Sequence, residues 1–280
     1  MSDIAVNALS KLVAPANGDN AIVSVALLME FDTPATEATI VDFSMKGAQF
    51  YQWGYLGSGV QKQVINFTNA LGGATMDTSK SEQLMAGHSF TPRPKVPRTR
   101  LFRDITLRDN QLVLMADQYS RWHRIWSEGE QMLKAVLPVL SPSMKLTSVT
   151  LEYVDQFRVR ELGQAFPVAG VLNASPWVVG NALKVAGNWH STHGYFGDAS
   201  GSGFGQQLNN INVALSPVAD VESLTILSQH RYMLPVFDAS SSDLLDALKT
   251  VFHSAHSANK SLMNEMLTTE AQQLVALNKA

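Results

Sequence analysis

Apolar positions recur along this chain with two spacings, and the spacing assigns the elements. Ala21–Phe31 is an almost unbroken run rich in Val, Leu and Ile, the pattern of a buried strand. Pro34 follows, and Ile40, Val41 and Phe43 predict a helix over 35–46. Ala48–Leu56, with alternating aromatics, and Gly59–Asn66 read as short strands, while Gly72, Gly73 and the polar stretch to Ser81 read as a loop. Pro92, Pro94 and Pro97 keep 91–100 extended, because each lacks a backbone donor and fixes φ. Leu101–Leu107 and Gln111–Ala116 alternate apolar and polar residues on either side of Arg108, Asp109 and Asn110, the clearest hairpin in the chain.

The clearest helix covers 120–140. Trp122, Ile125, Trp126, Met132, Leu133, Val136, Leu137 and Leu140 recur at steps of three and four, and Pro142 ends the run. Thr147–Arg158 returns to period two, with Val149, Leu151, Tyr153 and Asp155 on one side. Leu183–Phe196, Leu208–Leu215 and Ser223–Met233 predict three longer antiparallel strands, the first two joined by the glycine-rich stretch Gly194–Gly205. A second long helix spans 241–266, carrying Leu244, Leu248, Val251, Phe252, Ala255, Leu262, Met263 and Met266 on one face. Thr268 is placed to cap a last helix over 270–277. The expected class is therefore α+β, in two halves of mixed or antiparallel sheet, each covered by a long helix. Residues 1–20 form a polar N-terminal arm. The first half is 21–160 and the second, 161–280, ends in the helices of 241–277.

Composition narrows the function classes. With 280 residues, 45% of them hydrophobic and 16% charged, the chain has material for a large core and is not globally disordered. A net charge of −3 gives no bulk attraction for nucleic acid or an anionic membrane. The absence of cysteine excludes thiolate nucleophiles, thiolate zinc sites and iron–sulfur clusters. Residues 1–20 have no continuous apolar core of a secretory signal, and Ala21–Met29 is too short to span a bilayer, so a cytoplasmic protein is expected.

Four groups of residues invite chemistry. His190, His193 and Asp198, with His230 from a neighbouring strand, would make a metal-dependent hydrolase site if the strand ended between the first two. The competing reading is polar residues at a hairpin end. Gly194, Gly197, Gly201, Gly203 and Gly205 are spaced like a phosphate loop, but a strand rather than a helix follows them, which favours a plain connection. Arg93, Lys95, Arg98, Arg100 and Arg103 form a basic strip that a nucleic-acid-associated factor could use, although no interleaved aromatics accompany it. His256 lies on the apolar face of the last long helix, where a hydrogen-bonded core histidine is the plainer reading. No Gly-x-Ser-x-Gly elbow or His-Glu-x-x-His motif is present, and no cofactor is implied.

Three segments resemble one bacterial family. Ile22–Phe31 (IVSVALLMEF) is similar to its opening strand. Asp109–Trp122, with Tyr119 and Trp122, then a long helix and Leu151-Glu-Tyr153-Val-Asp155-Gln-Phe157, resembles its central signature. There a hairpin and a Tyr-x-x-Trp helix start lead to a strand reading like Leu-Arg-Tyr-Ile-Asn-Arg. His256–Thr268, with Leu262 and Met266, resembles its closing helix. The family is sporadically distributed, uncharacterised and without assigned activity. Glu152, Asp155 and Gln156 stand where it has Arg, Asn and Arg, so a charge-dependent role of that strand does not carry over. The resemblance implies a bacterial or phage-borne cytosolic protein and transfers no catalytic residues.

The functional expectation is a non-enzymatic interaction protein, self-associating as a homo-oligomer or binding a partner protein. Its surface would be the segment Phe50, Tyr51, Trp53 and Tyr55, since clustered aromatics suit interface cores. Read as a strand, that segment sends Tyr51, Trp53 and Tyr55 to one side and Phe50 to the other.

Overall fold

The computed structural model describes residues 8–70, 73–95, 97–140, 143–185, 187–198, 205–238 and 243–277. Its strands are β1 (Val13–Pro15), β2 (Ile22–Phe31), β3 (Tyr55–Ala70), β4 (Gly73–Pro92), β5 (Phe102–Arg108), β6 (Gln111–Ala116), β7 (Lys145–Val159), β8 (Trp189–Asp198), β9 (Gln206–Val218) and β10 (Val221–Asp238). They form one ten-stranded sheet in the order β3-β4-β5-β6-β2-β7-β10-β9-β8, every pairing antiparallel. β1 pairs with the last residues of β7, beyond the reach of β2. The helices are α1 (Glu37–Ser44), α2 (Gly47–Gln52), α3 (Trp122–Val136), α4 (Val168–Val171), α5 (Leu244–Met266) and α6 (Thr269–Leu274). The fold is α+β. Among the described residues no helix is long and apolar enough to cross a membrane.

Alternation along the strands gives the sheet one covered face. On β7, Val149, Leu151, Tyr153, Asp155, Phe157 and Val159 are all buried and point to the helices, while Glu152 and Arg158 point the other way. Register places Val25, Leu27 and Met29 of β2 beside Tyr153, Leu151 and Val149, so the two strands share this face. α3 packs on it closely because Gly129 has no side chain: a Cβ there would lie 3.0 Å from Leu27 and 3.3 Å from Phe102. The Glu128 carboxylate accepts from the backbone N–H of Leu101 (2.8 Å) and Phe102 (3.2 Å), pinning the same helix to the start of β5.

Two groups of buried apolar side chains occupy this face. The larger gathers Leu27, Met29, Phe102, Trp126, Met132, Leu151, Tyr153 and the first half of α5, from Leu244 to Ala255. The smaller gathers Phe157, Val171, Val213, Leu224, Ile226 and the end of α5, from Leu262 to Met266. α5 therefore runs across both groups, and the β7–β10 pairing carries the sheet from one half of the chain to the other. Between the groups lies a seam of polar side chains: Asp155 on β7, Ser228 and His230 on β10, Asn209 on β9 and Asn259 on α5, all buried.

Several expected elements appear as read: the β5–β6 hairpin, with Asp109 at a φ of 49°, the two long helices, and Thr268 capping α6 by accepting from the Ala271 N–H at 3.1 Å. Three differ. Of the aromatic segment 48–56 only Tyr55 and Leu56 are strand, opening β3; residues 48–54 are α2 and a turn, which bring Phe50 and Trp53 into edge contact at 5.2 Å and let Phe50 stack on Phe90 at 4.4 Å. The polar stretch read as a loop is part of β4, which pairs with β3 from Ala70↔Gly73 onward. Backbone pairing places it there, and pairing leaves no mark in an apolar pattern. β8 begins at Trp189 rather than Leu183 and continues through Gly194 and Gly197 to Asp198. The predicted arm contributes β1, and its Leu9 and Val13 are buried in the smaller core.

Candidate functional site

Where the polar seam meets the start of α3, the helix-covered face opens into a cavity of about 240 Å³. Its floor is Tyr153 and Asp155 of β7. Its walls are Tyr119–His123 at the entry to α3, His256, Asn259, Lys260 and Met263 on α5, and Val275–Leu277 after α6. β2 closes the remaining side at Ala21 and Ile22, where the register slips by one residue between Ile22↔Asp155 and Ser24↔Val154. A bulge at this position releases β7 from regular pairing beside Asp155.

The chemistry follows from burial. Asp155 is 4% exposed, its Oδ2 has no hydrogen-bond partner within the protein, and burial pushes its carboxyl up from 3.8 to about 7. Tyr119 is raised to about 12 by burial and then by the Asp155 charge. Tyr153 is raised well above its ordinary range, so its phenol keeps its proton and donates to His256 Nδ1 at 2.9 Å. His256 is held down to about 4, first by burial and then by the Lys260 and His253 charges, and is therefore a neutral ring with its own proton on Nε2. That ring stacks on Trp122 with centroids 4.7 Å apart and planes 11° from parallel. Trp122 Nε1 and Ser120 Oγ, like Asp155 Oδ2, are buried without a partner within the protein. The three residues that carry these atoms line a single cavity. Buried polar groups are almost always satisfied, so three unpartnered ones around one cavity set it apart from the rest of the core.

Behind the cavity wall the seam is closed. Ser228 Oγ donates to Asn259 Oδ1 at 2.6 Å, and His230 is bonded through both ring nitrogens, to Asn209 at 2.6 Å and Asn259 at 3.2 Å. Burial lowers His230 to about 4. Compared with family models, characterised proteins and solved structures, the chain matches none. The site is read from its own chemistry.

The metal reading is corrected. β8 does not end between His190 and His193, so the pleat sends them to opposite faces, His190 outward and His193 against Trp177 and Tyr195. His230 is committed to two asparagines, and the Asp198 side chain lies outside the described residues. No group of three or more histidines, aspartates or glutamates among the described residues could hold a metal ion. In the glycine-rich stretch Gly194 and Gly197 are strand residues, and Gly201 and Gly203 lie outside the described residues.

The basic strip is dispersed rather than continuous. Arg93 sits over the Tyr51 ring at 4.3 Å, and Arg98 is ion-paired with Asp117. Arg100 reaches Gln131 at 3.2 Å and lies 5.0 Å from the Trp53 ring, while Arg103 contacts Met115. Lys95 is exposed, at a φ of 63°. Of the four aromatics, Phe50 and Tyr55 are fully buried, the Tyr55 hydroxyl donating to the Phe102 carbonyl at 2.6 Å. Trp53 is half-buried and Tyr51 is exposed.

The cavity was partly legible in sequence. Asp155 falls on the apolar side of its strand and Asn259 interrupts an otherwise apolar helix face, both signals of a buried polar group. Tyr119, Trp122, Tyr153, Asp155 and His256, which carried the family resemblance, all line it.

Proposed function

We propose that this chain is a binding protein for a small organic molecule held in the Asp155 cavity. The observation that carries the reading is the convergence of Asp155 Oδ2, Trp122 Nε1 and Ser120 Oγ, all buried and unpartnered, on one cavity walled by Tyr119, Trp122 and Met263. A few convergent polar groups in a mostly apolar hollow is the usual form of a small-ligand site, and about 240 Å³ is small for one. A carboxyl that titrates near neutrality could also hold or release a proton. The test is nuclear magnetic resonance of the Trp122 indole N–H against a library of small polar compounds. A subset should shift that signal, and Met263→Trp, which fills the cavity, should abolish the shifts. A silent library, together with a crystal structure showing only water on the three atoms, would refute the reading.

A second reading, association with itself or another protein, draws on the far edge of the sheet. β3 is the outermost strand and pairs on one side only. Leu56, Leu84 and Met85 of the β3–β4 hairpin, with Tyr51 beside it, are exposed. A long edge strand with apolar side chains is a ready template for pairing. Contact of this kind should resist salt, since apolar burial is weakly screened. Sedimentation at low and high salt should show the same oligomer, and a monomer at micromolar concentration in both would remove this reading.

A further inference from the structure

Resting on the ligand-binding reading, we infer that the ligand is a compact zwitterion, a free α-amino acid with an aliphatic side chain. The cavity is polarised by depth. At its floor stands one carboxyl group, Asp155, 4% exposed and with an oxygen lacking any donor. A buried carboxylate is tolerated when a cation or strong donors meet it. Lys260 is partly exposed, which puts its side chain toward the mouth. Among the described residues no second carboxylate lines the cavity.

A molecule matching this distribution has an ammonium group at the inner end and an anion at the outer end. Charge-assisted hydrogen bonds at both ends would fix its direction. Between them, Met263 and Leu267 offer an apolar wall to a side chain, and the unpartnered Trp122 and Ser120 donors suit carboxylate oxygens. The volume of about 240 Å³ admits a molecule of amino-acid size and little more. No other described cavity combines these features. The hollow around Phe166, Leu183 and Glu222 has a wide mouth, with its Lys184 exposed and its Glu222 partly exposed, and the one beside Glu30 has its carboxylate already paired with Arg231.

The test uses three matched probes on the whole protein: L-leucine, isoamylamine (the same skeleton without the carboxylate) and 4-methylpentanoate (the same skeleton without the amine). Calorimetry should show leucine binding roughly tenfold or more tighter than either fragment, since each loses one charge-assisted contact. Asp155→Asn should bring leucine down to the level of 4-methylpentanoate, and Lys260→Gln should bring it toward isoamylamine. Unchanged near-ultraviolet circular dichroism would certify that both variants fold. Isoamylamine binding as tightly as leucine would overturn the zwitterion assignment, as would leucine affinity indifferent to Asp155→Asn. If all three probes leave the Trp122 indole unmoved while a neutral compound shifts it, the zwitterion is excluded and the ligand-binding reading stands. If nothing in the library shifts it, both fall.

Discussion

At the scale of single residues, Asp155 is where the chain departs furthest from what stability alone would choose. Its carboxyl is raised from 3.8 to about 7 by burial. Between about pH 4 and pH 7 the folded chain keeps a proton that the unfolded chain has released, so stability falls as pH rises through this window. The full penalty, reached above pH 7, is on the order of 4 kcal/mol. Asp155→Asn should therefore be more stable than the wild type at pH 8 by about 2–4 kcal/mol, and should differ little at pH 4. His230 and His256 act in the opposite sense. Both are lowered from 6.5 to about 4, so the stability they contribute is lost as pH falls from about 6.5 through about 4. The wild-type profile is flattened by this opposition, and the Asp155→Asn profile should rise with pH from 4 to 6.5. Urea unfolding at pH 4, 6 and 8 is the measurement, and parallel curves for the two proteins would show that Asp155 is not buried as described.

At the scale of elements, the sheet depends on two kinds of close approach. α3 is held by apolar burial: Trp126 is 5% exposed and packs against Phe252 and His253, with centroids at 6.0 and 5.4 Å, whereas His123 on the same helix is exposed. Trp126→Ala should cost about 3–5 kcal/mol and His123→Ala close to nothing. Equal shifts of the denaturation midpoint would contradict the packing. β4 is held to β5 by close backbone pairing and by Ser89, which donates to Asp104 Oδ1 and accepts from the Thr106 hydroxyl, both at 2.7 Å. The two pair only over Gly87–Phe90, and a Cβ on Gly87 would overlap the carbonyl oxygen of Leu107. Gly87→Ala should cost about 1–3 kcal/mol, as overpacking of a close contact does. Hydrogen exchange should locate the loss at β4 and β5, leaving β7 and β10 protected. Uniform loss across the sheet would mean that the joint is not local.

At the scale of the whole molecule, β7 is the shared strand. It pairs with β2 on one side and β10 on the other, so strands from before residue 160 and after it belong to one sheet. α5 adds a second tie by contributing side chains to both apolar groups. A chain joined twice in this way should unfold in one cooperative step, with near- and far-ultraviolet circular dichroism changing together on heating. Two separated transitions would instead show 21–160 and 161–280 to be independent units. Any ligand specific to the folded cavity should move the single transition upward, by about 2.7 kcal/mol at a hundredfold excess over its dissociation constant.

The sequence by itself determined the elements whose burial repeats along the chain: the β5–β6 hairpin, α3, β7 and α5 were legible because one face of each is apolar at a fixed period. It also placed Asp155 among the apolar positions of its strand. It could not decide α2, since an aromatic cluster of Phe50, Tyr51, Trp53 and Tyr55 satisfies either period and only contact with Phe90 chooses the helix. Nor could it read β4 across the polar residues after Gly73, where backbone pairing with β3 supplies the order. The meeting of the site's residues in one cavity belonged to tertiary structure. Residues 22, 119, 155, 256 and 277 meet there because β2 and β10 flank β7 and α5 crosses both cores. Periodicity reports which side of an element is buried, while the order of strands decides which buried groups become neighbours.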